Sequence, residues 1–211
     1  MSPSIPSLSA ARLRTCLVLL ATVALAGCGP LLETELQKAI KAHDAATVKR
    51  LLDAGASRGR SWAELVPPER LAIVNVNPSA PESIEVLRLL VAASPDVKAF
   101  LHQDFYSNCK RSPCYSPTTV EHVSRGGSVD AVQVLIDAGL DLNSQGVTNA
   151  LVYAIAEDDE PMARLLVDAG ADVNGWPRAG GNRFGEVSVL AAARRKEKAA
   201  LVDYLIAKGA R

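Results

Sequence analysis

Four side chains in the middle of the sequence, His102, Cys109, Cys114 and His122, are of the types that hold transition metals, since imidazole and thiolate are the usual zinc ligands. Their spacing argues against a structural zinc site. The cysteines have four residues between them, at the outer edge of such sites, and the histidines are not grouped as a finger requires. A redox pair of the Cys-X-X-Cys type is absent. The cysteines lie in a polar segment with Ser-Pro turn signals, so in an oxidising compartment a local disulfide, Cys109–Cys114, is the simpler reading and metal binding the alternative. A short closed loop gains less from chain entropy than a long one, and such a bridge would mainly shape a surface loop.

Other catalytic signatures are missing. There is no phosphate-cradling Gly-X-X-X-X-Gly-Lys loop, no Gly-X-Ser-X-Gly nucleophile elbow and no His-Glu-X-X-His pair. Residues 157–160 are all acidic, but lack the ligand spacing of a calcium loop, and a role at a helix N-terminus, where negative charge is favoured, is expected instead. His43 reads as a solvated turn residue, and His122 as a packing or surface position on a helix. The expectation is a protein without enzymatic activity or cofactor.

The N-terminus carries Arg12 and Arg14 and no acid before an apolar run that ends in Leu25-Ala26-Gly27-Cys28. That run is shorter than the ~20 residues needed to span hydrocarbon, and it has the basic-then-apolar layout of a secretory signal. Its last four residues resemble the lipobox of bacterial lipoproteins. The resemblance implies removal of residues 1–27, diacylglyceryl attachment to Cys28, a short lipid-attached linker over residues 28–33, and an oxidising envelope compartment. Gly29 in place of an aspartate points, by the same resemblance, to the outer membrane facing the periplasm. Several acyl chains hold a protein far more firmly than one, at about 0.8 kcal/mol for each buried methylene.

The 211 residues carry 23 basic and 23 acidic side chains, 48% hydrophobic and 4% aromatic residues. This is the profile of a globular domain and excludes long disorder. With no excess of positive charge, binding to a nucleic-acid backbone is not expected.

The elements that would position any site are visible as a recurring phrase. Leu51 to Ala56, Leu135 to Leu140, Leu166 to Ala171 and Leu205 to Ala210 each place an apolar pair four or three residues before a glycine, and Leu90 to Pro95 is a degenerate copy. Gly55, Ser94, Gly139, Gly170 and Gly209 mark the register, with spacings of 39, 45, 31 and 39 residues. Each glycine is expected to take the left-handed conformation that ends a helix. Asp141-Leu142-Asn143 and Asp172-Val173-Asn174 then turn the chain through their own side chains. Repeats of this length stack into an array.

Residues 118–143 and 149–174 resemble ankyrin repeats almost position for position, residues 188–210 match well without the final Asp-X-Asn, and residues 34–56 and 82–97 match less well. The Thr-Pro-Leu-His opening of the family is nowhere intact; Thr118-Thr119-Val120-Glu121 is nearest. The resemblance implies an all-α solenoid of about five helix–turn–helix units over residues 34–211, interrupted by insertions near 57–81, 98–117 and 175–187. Such a solenoid buries a continuous stripe between neighbouring units.

Among the aromatic residues, Tyr153 and Tyr204 lie inside the matched helices, whereas Trp62, Phe100, Phe105, Tyr106, Tyr115, Trp176 and Phe184 fall in or beside the insertions. With Arg178 and Arg183 they supply the side-chain types that dominate binding energy. The expected function is therefore that of a lipid-anchored module binding a protein partner through its inter-repeat loops, with Trp62, Phe105, Tyr106, Tyr115, Trp176, Arg178, Arg183 and Phe184 as contact residues. Immunity against a periplasm-targeted toxin is one sharper version, a scaffold or stress-protection role another. An enzymatic or metal-binding envelope protein using His102, Cys109, Cys114 and His122 is the alternative of a different class, and a purely structural role a third.

Overall fold

The computed structural model describes residues 29–56, 68–94, 97–102, 117–177 and 187–211. They form five antiparallel helix pairs: α1 (Gly29–Lys41) with α2 (Ala45–Asp53), α3 (Pro68–Val74) with α4 (Pro81–Ala92), then, after a lone short helix α5 (Val97–His102), α6 (Thr119–Arg125) with α7 (Val129–Asp137), α8 (Gln145–Ala156) with α9 (Glu160–Ala169), and α10 (Val189–Arg195) with α11 (Ala199–Ala207). First helices pack on first helices, α1 on α3 and α6 on α8 on α10, while second helices form a parallel row, α2 on α4 on α7 on α9. The result is the all-α solenoid expected, with its core running along the stack.

Local chemistry explains where each pair begins, turns and ends. Asp44, Ser128 and Asp159 cap their second helices, accepting from the amides of Thr47 at 3.0 Å, Ala131 at 3.3 Å and Met162 at 3.1 Å. Glu121 Oε2 takes the Thr118 amide at 2.6 Å, which fixes the entry to α6. The residue before each of those three second-helix caps, His43, Gly127 or Asp158, is left-handed, and Glu197 holds the same place in the last pair. Twelve positions further on, Gly55, Gly139, Gly170 and Gly209 are left-handed in turn and close the second helix, as the recurring phrase predicts. Asn143 and Asn174 donate their amides to Asp141 and Asp172 at 3.0 and 2.8 Å, the side-chain turns expected of Asp-X-Asn.

The second pair departs from this scheme. Its helices are joined by a longer turn, in which the buried Ser83 hydroxyl donates to the carbonyls of Asn77 and Ala80 and accepts from the Asn77 amide. Ser94, the register mark, is not left-handed. Helix α3 lies within the expected insertion 57–81, so the inserted segment is shorter than expected. The signal for α3 was Pro68, a favourable first helical residue. Helix α5 likewise occupies the start of the expected insertion 98–117; Phe100 packs against the core, and its carbonyl accepts from the Thr119 hydroxyl at 3.1 Å. Helix α1 begins at Gly29, inside the stretch expected as linker.

Burial peaks in α8, the first helix with neighbours on both sides. Val147, Leu151, Val152 and Ile155 are nearly inaccessible, and Ala150 and Ala154 let α6 and α10 approach closely.

Candidate interaction surface

The segment after α9 is the part of the expected binding loops that falls within the described residues. Asn174 ties it to the last pair: its side-chain amide donates to the Gly209 carbonyl at 3.0 Å, and its side-chain oxygen accepts from the Arg211 amide at 2.9 Å. Gly175 lies against Thr148, where a Cβ would come within 2.7 Å of the threonine hydroxyl oxygen, so no larger residue fits without movement. Gln145 Nε2 donates to the Trp176 carbonyl at 2.6 Å, and Pro177 is buried. The backbone is thus fixed on both sides of Trp176, yet Trp176 is 64% exposed. A large rigid side chain displayed on an ordered backbone loses little entropy when a partner covers it.

Of the other residues expected at the surface, Trp62, Phe105, Tyr106, Tyr115, Arg178, Arg183 and Phe184 lie outside the described residues, as do Cys28, Cys109 and Cys114. His102 closes α5 and His122 sits half-buried on α6. Burial, with the charge of Arg125 adding to it, holds the His122 imidazole below its ordinary pKa. No group of three or more metal-ligating side chains is present among the described residues.

His43 is not simply solvated. It is half-buried, and its Nε2 lies 2.8 Å from the Asn75 carbonyl, which links the turn of the first pair to that of the second. The acidic run 157–160 also does more than favour a helix dipole. Asp159 is the cap of α9, Asp158 pairs with Lys198 of the last unit at 2.8 Å, and Glu160 pairs with Arg164 at 2.7 Å. The Lys198 hydrogen bond holds the Asp158 carboxyl below its ordinary pKa.

A second exposed feature has no local signal in the sequence. The Arg125 guanidinium stands 5.0 Å from the Tyr153 ring centroid, and a depression of about 200 Å³ lies between the ends of α8 and α10, lined by Ala156, Val187, Ala192, Arg195 and Lys196. Only the stacking of consecutive first helices brings these residues together.

Residues 82–175 match the family model of ankyrin repeats, in three copies. That segment therefore carries ankyrin repeats, and α1 to α3 before it and α10 and α11 after it continue the same stacking of helix pairs. The ankyrin repeat is generally a non-enzymatic protein-interaction fold. No curated protein matches the chain.

Proposed function

We propose that this protein is a lipid-anchored, non-enzymatic binding module of the bacterial cell envelope, which grips a protein partner through its inter-repeat loops. The observation that carries the reading is Trp176, an indole held out in solvent by a backbone anchored at Asn174, Gly175 and Pro177. Exposed tryptophans with ordered surroundings are the residues on which interface energy concentrates. Support for the anchor is the sequence Leu25-Ala26-Gly27-Cys28 at the end of the apolar run. Among the described residues no helix is long and apolar enough to cross a membrane. In the oxidising compartment that this address implies, Cys109 and Cys114 form a local disulfide.

The test is made on the full chain expressed in a bacterium with two membranes. A photo-crosslinking amino acid at position 176 is expected to capture one discrete envelope protein, and Trp176→Ala to abolish co-purification of that protein without lowering the melting temperature. Fed with an alkynyl fatty acid, the cells should label the wild type and not Cys28→Ser. Absence of a discrete adduct would remove the loop reading, and absence of label would remove the anchor.

A further inference from the structure

Charge is unevenly distributed along the stack. Residues 128–177 hold nine acidic side chains and one basic one, Arg164, whereas the last pair and its flanks, residues 187–211, hold six basic and two acidic. Two of those cations are tied back to the preceding unit, Lys198 to Asp158 and Lys208 to Asp168, each at 2.8 Å. Arg194 and Arg195 have no such tie, and Lys196 has only a longer-range electrostatic interaction with the same Asp158. They occupy the last turn of α10 and its C-cap, all three are exposed, and no ion pair of theirs occurs among the described residues.

Cations at a helix C-terminus favour the helix dipole, and that alone would need no partner. The depression beside them is the second, independent observation. Its floor is apolar, from Ala156, Val187 and Ala192, and its rim carries Arg195 and Lys196. One turn back along α8, Tyr153 extends the surface toward Arg125. An apolar floor with a cationic rim matches an aliphatic side chain flanked by carboxylates. It does not match an anionic lipid headgroup, whose phosphate would have to enter an apolar hollow. Glu157 follows Ala156, Glu197 follows Lys196 and Asp158 interacts electrostatically with Lys196, so a partner whose carboxylates reach past the two cations is disfavoured.

We infer that the C-terminal ends of the first helices, α6, α8 and α10, form a second binding surface, which takes an acidic polypeptide segment with an apolar side chain seated between Ala156, Val187 and Ala192. Arg195 and Lys196 supply charge-assisted hydrogen bonds to the flanking carboxylates. The surface stands on the ends of α8 and α10 and on Val187, which precedes the Ser188 cap of α10, and it does not include Trp176.

The experiment uses the full chain in nonionic detergent and a fluorescein-labelled peptide of roughly a dozen alternating glutamate and leucine residues, read by anisotropy. Binding is expected at about 50 mM salt and should weaken strongly by about 500 mM. Arg195→Ala combined with Lys196→Ala is expected to weaken it at least about tenfold with an unchanged circular dichroism spectrum. Trp176→Ala should leave it unchanged, which separates this surface from the loop reading. No binding by the wild type, equal binding by the double variant, or equal binding of a glutamine-for-glutamate peptide would each overturn the inference. So would displacement of the peptide by soluble dihexanoylphosphatidylglycerol at concentrations as low as those of unlabelled peptide, which would assign the surface to a membrane.

Discussion

The Tyr204 hydroxyl donates to Asp168 Oδ1 at 2.7 Å, and Lys208 Nζ reaches the same oxygen at 2.8 Å. Arg164, one helical turn before Asp168, lies with its guanidinium 4.3 Å from the Tyr204 ring centroid. The last pair is therefore held to its neighbour by polar contacts as well as by apolar ones, and Asp158–Lys198 repeats the device at the other end of α9. Partial burial, with the Asp168 hydrogen bond and charge adding to it, pushes the Tyr204 pKa from 10.0 up to about 12.

A raised phenol pKa has a definite consequence for stability. The protonated form of Tyr204 is favoured in the folded state, so its contribution is fully present below the ordinary value near 10 and is lost as pH rises through that value toward about 12. Absorbance titration at alkaline pH should show one of the tyrosines ionising late, and Asp168→Asn should bring it back toward 10. A titration unchanged by Asp168→Asn would disprove the coupling.

The two aspartates act at the opposite end of the pH scale. Hydrogen bonds from Lys208 and Tyr204 to Asp168, and from Lys198 to Asp158, hold both carboxyls below their ordinary value of 3.8. Their contribution is present above that value and disappears as pH falls through the lowered ones. Protection of α11 amides relative to their intrinsic exchange rates is expected to fall below about pH 4, and earlier than in α8, whose attachment is apolar. An equal loss of protection across both helices would contradict it.

Three of the left-handed turn positions carry side chains, at a cost of about 1–2 kcal/mol each relative to an unstrained residue. Glu197 makes no side-chain contact among the described residues that offsets this, whereas His43 reaches the Asn75 carbonyl. Glu197→Gly is expected to raise stability by up to about 1 kcal/mol, the relief of strain being partly cancelled by the freedom glycine gains in the unfolded chain. His43→Gly should give less or none, because the link to the second pair goes with the imidazole. Chemical denaturation of both variants decides the matter; equal gains would show that the His43 contact contributes nothing.

The repeating plan was legible because its signals are local. A helix-ending glycine, an Asp-X-Asn turn and a capping Ser or Asp each act within a few residues, so Gly55, Gly139, Gly170 and Gly209 mark real helix ends. Helix α3 was hidden because it is short, begins at the second residue of a proline pair and reaches α4 through an unusually long turn. The links between units were not legible at all. Asp158 and Lys198 are 40 residues apart, and Arg125 and Tyr153 are 28 apart; nothing short of the stacking register brings either pair together. For Trp176 the sequence supplied the residue type, but its exposure depends on anchors at Gln145 and Thr148 on α8 and at Gly209 after α11, two places far from it in the chain.

Central burial makes α8 the element on which the whole stack depends. Leu151 is fully buried with α6 on one side and α10 on the other. Leu151→Ala removes buried methyl groups and leaves a cavity that two packed helices cannot readily close, for a loss of about 2–5 kcal/mol. Denaturant titration followed by circular dichroism measures it. A loss below about 1 kcal/mol would mean that the units on either side fold without leaning on α8.

Gly175 couples that buried helix to the exposed indole. A methyl group there would lie 2.7 Å from Thr148 Oγ1 and 3.0 Å from its Cγ2, and Thr148 is a buried, β-branched residue on α8, stiff about χ1. Gly175→Ala should therefore destabilise by about 1–3 kcal/mol, or push the loop outward and break the Gln145 bond to the Trp176 carbonyl. Thr148→Ala makes room, so the double variant is expected to recover most of the loss, a coupling that a double-mutant cycle measures directly. Additive effects of the two substitutions would show that the loop does not rest on α8, and the indole at 176 would then lack the fixed backbone on which its display to a partner depends.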